Sequence, residues 1–88
     1  MTKNNQRTVI VTGGAQGIGY AIAEEFIKSG DFVAIFDLNE DAANEAAAKL
    51  GNAKGYKVNV AVEGSVQAAV EQLAAERGTV DVVVNNAG

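Results

Sequence analysis

Short runs of β-branched and aromatic residues alternate along the chain with longer segments whose apolar residues recur at helical spacing. The pattern predicts strands over 7–12, 32–36, 56–60 and 80–85. It predicts helices over 17–29, from Asn39 to 50, and from Ser65 up to residue 78, with Asn39 and Ser65 as N-caps. Glycine follows each helix as a stop signal, at Gly30, Gly51 and Gly78.

The apolar positions of each predicted helix fall on one face. The predicted buried faces are Ile18, Ala21, Ile22 and Phe26 in the first helix, Ala43, Ala46, Ala47 and Leu50 in the second, and Val66, Ala69, Val70 and Leu73 in the third. Helices with one apolar face pack against a sheet, so the chain is expected to be layered.

The order of elements is βαβαβαβ, and the crossovers are long enough for parallel strands. Right-handed crossovers give strand order 3-2-1-4, with the first two helices on one face of the sheet and the third on the other. Strand three alternates apolar and polar residues, as an edge strand should, whereas Val82, Val83 and Val84 form an apolar strand at the opposite edge that expects neighbours. We therefore predict an α/β Rossmann-type parallel sheet, the truncated half of a doubly wound fold.

Composition narrows the classes of function. The 88 residues carry a net charge of −4 and suit one incomplete domain over 1–88, with a polar N-terminal tail at 1–6. The acidic balance argues against nucleic-acid binding, and the absence of cysteine and histidine argues against disulfides and metal sites. No apolar run approaches the roughly 20 residues of a membrane span, so a cytoplasmic location is expected.

Glycines cluster where the first strand meets the first helix. Gly13 would make the turn, Gly17 would let a ligand approach the backbone, and Gly19 would bring the helix close to the strand. A helix N-terminus at this place favours a pyrophosphate, and no Gly-Lys-Ser/Thr triplet follows to make a Walker loop. The alternative is that these glycines only punctuate the loop.

Asp37 follows the second strand, where its carboxylate can accept hydrogen bonds from both hydroxyls of an adenosine ribose. The same charge would repel a 2′-phosphate, and Gln16 and Leu38 stand where a lysine or arginine could accommodate one. The cofactor is therefore predicted to be NAD, with NADP disfavoured. A helix-capping or solvated Asp37 is the alternative.

The turn Thr12-Gly-x-x-x-Gly-x-Gly19, Asp37 and the closing Asn-Asn-Ala-Gly at 85–88 resemble the N-terminal half of the short-chain dehydrogenase/reductase family. The resemblance implies that Ile18 offers backbone contacts to the cofactor phosphates and that Asn86, Ala87 and Gly88 line the wall beside the nicotinamide ribose. It also implies that the pair Asn59-Val60 lies where the family usually has Asp-Val and meets the adenine amino group. Asparagine still accepts that hydrogen bond but without charge assistance.

The resemblance also implies what the chain lacks. The family's catalytic Tyr-x-x-x-Lys pair follows the Asn-Asn-Ala-Gly segment, and neither Tyr20 nor Tyr56 has a lysine four residues later. We expect an NAD(H)-binding segment of an oxidoreductase that transfers hydride between nicotinamide and a small alcohol or ketone, and that binds the cofactor without catalysis by itself. Two alternatives stay open: a non-enzymatic dinucleotide-binding module that self-associates through the fourth strand, and an S-adenosylmethionine-binding fold.

Overall fold

A computed structural model describes residues 6–86, which form one parallel four-stranded sheet with helices on both faces. The elements are β1 (Thr8–Thr12), α1 (Gly17–Lys28), β2 (Phe32–Asp37), α2 (Glu40–Leu50), β3 (Ala53–Lys57), α3 (Glu63–Arg77) and β4 (Val82–Val84). The strand order β3-β2-β1-β4 confirms the predicted topology. Of the predicted polar tail, only Gln6 lies within the described residues.

Two apolar clusters lie on opposite faces of the sheet. One joins Val9, Val11, Val33 and Ile35 to residues of α1 and α2, including Ala23, Ala43 and Leu50. The other joins Ile10, Ala34, Phe36, Tyr56 and Val58 to Ala69 and Leu73 of α3. Neighbouring strand residues alternate between the clusters because side chains alternate across a strand. The predicted placement of two helices on one face and one on the other is confirmed.

The second helix follows the sequence pattern closely. The Asn39 side chain accepts a hydrogen bond of 3.0 Å from the Ala42 N–H, which confirms it as the N-cap. The buried residues of α2 are those predicted from its stripe, Ala43, Ala46, Ala47 and Leu50. Small side chains on this face let α2 lie close to the sheet.

The third strand lies three residues earlier than predicted, at Ala53–Lys57 rather than 56–60. Pairing with β2 sets the strand, starting from the hydrogen bond from Val33 N–H to the Asn52 carbonyl. At Gly55 an added Cβ would lie 2.6 Å from the carbonyl carbon of Ala43, so glycine is needed for α2 to pack there. The alternation of apolar and polar residues over 56–60 predicted the wrong bounds, because Val60, which is 41% exposed, belongs to the following loop. The edge position of β3 is confirmed.

Three further sequence predictions were wrong in detail. The third helix begins at Glu63 with Val62 as its N-cap, so the prediction of Ser65 as the N-cap was wrong. Oγ of Ser65 instead accepts a hydrogen bond from the Asn59 N–H. In α1, Ile22 and Phe26 pack against the core cluster as predicted, but Ile18 is 74% exposed and Ala21 is also exposed. The fully buried residues are Gly19 and Ala23, because the helix approaches β1 by its smallest residues. Strands β1 and β4 are also shorter than predicted, at Thr8–Thr12 and Val82–Val84.

The β4 edge is thinly covered on one face. Val82 and Val84 pack with the cluster under α1 and α2, whereas Val83 faces the other way and is 61% exposed. Only β1 pairs with β4 in the described part of the chain. An apolar strand with this exposure is unusual at a sheet edge.

Candidate functional site

The turn after β1 depends on two glycines with positive φ. Gly13 has φ 65° and Gly17 has φ 63°, values that side chains with a Cβ rarely adopt. The Gly13 N–H donates a 2.8 Å hydrogen bond to the Phe36 carbonyl, which ties the turn to the end of β2. Nothing lies within 4 Å of where a Gly17 Cβ would stand, so the space before α1 is open.

Gly19 is in direct contact with the turn that it follows. A Cβ at this position would collide with the Gly13 carbonyl oxygen and would lie 2.7 Å from Nδ2 of Asn86. Gly14, which sequence reasoning did not select, is also tightly packed, because a Cβ there would lie 3.2 Å from Cδ1 of Ile35. Its only signal in the sequence was its place as a second consecutive glycine.

The N-terminus of α1 faces the open space beside Gly17. Gln16 is the N-cap residue but makes no side-chain capping bond, and the first turn of α1 carries no acidic residue. Helix N-termini present backbone N–H groups and about half a positive charge. This end of α1 is therefore suited to an anion.

Asp37 and the loop after β3 enclose a cavity at the carboxyl ends of the strands. The cavity measures about 180 Å³. Its lining residues are Gly13, Phe36, Asp37, Leu38, Val58, Asn59 and Val60. The Val58 N–H donates 3.0 Å to the Asp37 carbonyl, which holds the two segments together. The structure thus brings Gly13 together with the predicted residues of the two strand ends.

Other predicted residues line different surfaces. Gln16 and Gly17 line a second cavity, of about 340 Å³, between α1 and α2. Ile18 is exposed at the start of α1. Predicted contacts through Ala87 and Gly88 lie outside the described residues.

The Thr12 hydroxyl joins the ends of β1 and β4, a role that sequence reasoning missed. It accepts a 2.9 Å hydrogen bond from the Asn86 N–H and lies 3.3 Å from Oδ1 of Asn85. The Asn86 side chain also donates, at 3.5 Å, to the Gly13 carbonyl. These groups are more than 70 residues apart in sequence, so only the β1–β4 pairing shows that they meet.

The surroundings of Asp37 include one cation that its sequence neighbours did not indicate. Lys57 is the register partner of Asp37 on β3. Oδ1 of Asp37 accepts a 3.1 Å hydrogen bond from the Asn39 N–H, while its other carboxylate oxygen has no partner within residues 6–86. Asp37 therefore keeps a carboxylate oxygen that can accept a hydrogen bond from a ligand.

Between residues 6 and 86 no group of three or more His, Cys, Asp or Glu side chains is placed to hold a metal ion. None of the helices in that range is long and apolar enough to cross a membrane. The cytoplasmic location stays a prediction.

The sheet order and the glycine turn define a Rossmann-type α/β protein. The chain belongs to the short chain dehydrogenase family, whose family model matches residues 7–88. Among curated relatives it is 45% identical over 87 residues to the 3-oxoacyl-(acyl-carrier-protein) reductase FabG of Chlamydia muridarum, covering 93% of this chain and 35% of the relative. It is 43% identical over 86 residues to D-threitol dehydrogenase of Mycolicibacterium smegmatis, covering 93% of this chain and 33% of that relative. The chain thus spans about a third of the length of these relatives.

Solved structures show the same relationship. A 3-ketoacyl-(acyl-carrier-protein) reductase from Brucella melitensis, complexed with NADH, superposes with a TM-score of 0.88 at 34% identity, over 93% of this chain and 34% of the other. Menthone neomenthol reductase from Mentha piperita gives a TM-score of 0.88 at 29% identity, over 96% and 32%. The predicted family and fold are both confirmed.

Proposed function

We propose that this chain holds the adenosine and pyrophosphate of NAD(H) in an oxidoreductase that transfers hydride between nicotinamide and a small alcohol or ketone. The observation that carries the proposal is the cavity joining Gly13, Asp37 and Asn59 at the carboxyl ends of the strands. Open α/β sheets bind ligands at the carboxyl ends of their strands, where the strand order reverses, and β1 lies at that point here. The NADH complex of the Brucella relative supports the same ligand class.

The pyrophosphate would lie over the start of α1. Gly13 and Gly17 keep the backbone free of side chains there, and Gln16 leaves the first turn uncapped by its side chain. The backbone N–H groups of Ile18 and Gly19 would then donate to phosphate oxygens. Asn86, held by Thr12, would form the wall beside the second ribose.

Asp37 would select NAD over NADP. Its free carboxylate oxygen can accept from ribose hydroxyls. Two unit charges about 4 Å apart repel by roughly 4 kcal/mol at an effective dielectric near 20, an upper bound at an exposed site. Lys57, the register partner of Asp37 on the neighbouring strand, would reduce this repulsion, so we expect a preference for NAD rather than complete exclusion of NADP.

We propose that the 88-residue chain by itself does not turn over substrate. A general acid must lie within hydrogen-bond reach of the reacting oxygen. The Tyr56 hydroxyl instead donates a 2.6 Å hydrogen bond to Glu76, and burial together with this bond raises the pKa of Tyr56 above its usual range. Tyr56 is therefore a poor proton donor, and it does not line the cavity beside Asp37.

Titration of the purified chain with NAD, NADP and S-adenosylmethionine tests the proposal. We expect weak NAD binding, weaker NADP binding, and loss of that difference in Asp37→Ala. Asp37→Asn keeps an acceptor for the Asn39 N–H while removing the charge, so it separates charge from loop geometry. Asp41→Ala, an exposed position in the first turn of α2, is the control for charge removal.

Equal affinity of the parent chain for NAD and NADP would refute the role of Asp37. Binding of S-adenosylmethionine alone would favour the methyl-donor alternative over a dehydrogenase. Turnover of an alcohol or ketone by the chain itself would contradict the proposed catalytic silence.

The exposed Val83 favours one second candidate, a module that self-associates through β4. Pairing of two β4 edges would cover Val83 and extend the sheet. Sedimentation at increasing concentration tests it: a dimer that Val83→Lys abolishes supports this candidate, and a monomer at high concentration counts against it.

A further inference from the structure

We propose that the Ser65 hydroxyl positions the loop after β3, residues 58–62, for the base end of the bound dinucleotide, without touching the ligand. Ser65 is then a positioning residue of the cofactor site, a role different from the helix N-cap expected from sequence. The inference rests on the proposed function, because it concerns one wall of the same cavity.

The loop after β3 forms one wall of the cavity beside Asp37. Val58, Asn59 and Val60 line this cavity. Val58 is buried, whereas Asn59 and Val60 are exposed. An exposed segment with few packing contacts keeps one conformation only where hydrogen bonds hold it, so the hydrogen bonds of this loop decide the shape of the wall.

Most hydrogen bonds of the loop are local or run to β2. The Val58 N–H donates 3.0 Å to the Asp37 carbonyl, which ties the start of the loop to β2. The Ala61 N–H donates 3.0 Å to Oδ1 of Asn59, and the Val62 N–H donates 2.9 Å to the Asn59 carbonyl. These last two bonds close a turn within the loop and do not fix the turn to a neighbouring element.

Ser65 connects this turn to α3. Its Oγ accepts a 3.1 Å hydrogen bond from the Asn59 N–H, and no other side chain of α3 bonds to the loop within residues 6–86. Val62, the N-cap residue of α3, makes no side-chain capping bond that could take over this role. The helix itself is held by the buried Ala69 and Leu73, so the Ser65 hydroxyl projects from a packed element.

Removal of the hydroxyl would release the Asn59 N–H. Alanine at residue 65 offers no acceptor, so this N–H would donate to water and the turn would lose its link to α3. A bound base would then have to order the wall formed by Asn59 and Val60, and that ordering weakens binding. Ser65 does not line the cavity beside Asp37, so its effect on binding passes through the loop.

The test measures the dissociation constants of NAD and of its ethenoadenine analogue by calorimetry. The analogue carries an extra ring on the hydrogen-bonding edge of the base, so it gains little from a correctly placed loop. We expect Ser65→Ala to bind NAD about threefold to tenfold more weakly than the parent chain, the effect of one hydrogen bond, with little change for the analogue. Ser65→Thr keeps the hydroxyl and should restore the parent's ratio of the two constants.

Two further comparisons separate positioning from stability. Ser29→Ala removes a hydroxyl that donates 3.2 Å to the Glu25 carbonyl at the end of α1, so it controls for the loss of one side-chain hydrogen bond outside the cavity. It should leave the ratio unchanged. Ser65→Val against Ser65→Thr compares side chains of the same shape with and without the hydroxyl, and this pair decides the result if Ser65→Ala does not fold.

An unchanged ratio in a folded Ser65→Ala or Ser65→Val overturns the inference, while the proposed function survives because the parent chain still binds NAD. Equal losses for NAD and the analogue overturn it as well, since a general loss of stability produces them. A parent chain that binds both dinucleotides equally has no base preference for the loop to support, and this result also overturns it. If the parent chain binds neither, the proposed function fails and the inference fails with it.

Discussion

Replacing Gly19 by alanine tests how the glycine turn and α1 are held together. Gly19 is the third residue of α1, where alanine is normally the better helix former by about 0.5–1 kcal/mol. Here its Cβ would collide with the Gly13 carbonyl oxygen and lie 2.9 Å from the carbonyl carbon. Both obstacles are backbone, so a side-chain rotation cannot relieve them.

The expected cost follows from that geometry. Overpacking a well-packed contact costs about 1–3 kcal/mol, which outweighs the gain in helix propensity. Gly64→Ala is the matched control, because Gly64 is the second residue of α3 and nothing lies within 4 Å of its would-be Cβ. We expect Gly19→Ala to lower the free energy of unfolding by about 1–3 kcal/mol and Gly64→Ala to raise it by about 0.5–1 kcal/mol.

Urea unfolding followed by circular dichroism measures both variants. A change of 1 kcal/mol moves the thermal midpoint of a domain of this size by about 4–8 °C, so thermal scans provide a second readout. The two variants should move in opposite directions with similar m-values. Equal stabilisation by both substitutions would refute the close contact between α1 and the turn.

Two pH predictions follow from buried or partly buried side chains. The hydrogen bond from Arg7, together with the Arg7 charge, holds the pKa of Asp31 below its usual 3.8. This ion pair therefore stabilises the fold above pH 3.8, and the stabilisation is lost as the pH falls through the lowered pKa. Asp31→Asn should flatten the acid side of the curve of unfolding free energy against pH, measured by urea unfolding. Burial and the hydrogen bond to Glu76 raise the pKa of Tyr56 above 10.0, so the stabilisation from this bond is present below pH 10 and is lost at higher pH. Tyr56→Phe should flatten the alkaline side of the same stability curve. An unchanged alkaline slope would contradict the Tyr56–Glu76 hydrogen bond.

Part of the candidate site could be predicted from the sequence. Asp37 and Asn59 were selected from strand ends and from the family resemblance, and they line one cavity with Gly13. The link from Thr12 to Asn86 was missed, because it joins residues brought together only by strand pairing. Lys57 was missed for the same reason, since the β2–β3 register and not sequence proximity places it opposite Asp37.

The order of elements, the strand order and the side of the sheet that each helix covers were determined by the sequence alone. Apolar runs, helical spacing and right-handed crossovers are local or general properties that survive folding unchanged. The tertiary structure alone decided where β3 begins and which residues of α1 come closest to the sheet. These features depend on ladder register and on how closely two backbones approach, and both are set by contacts between residues distant in the chain.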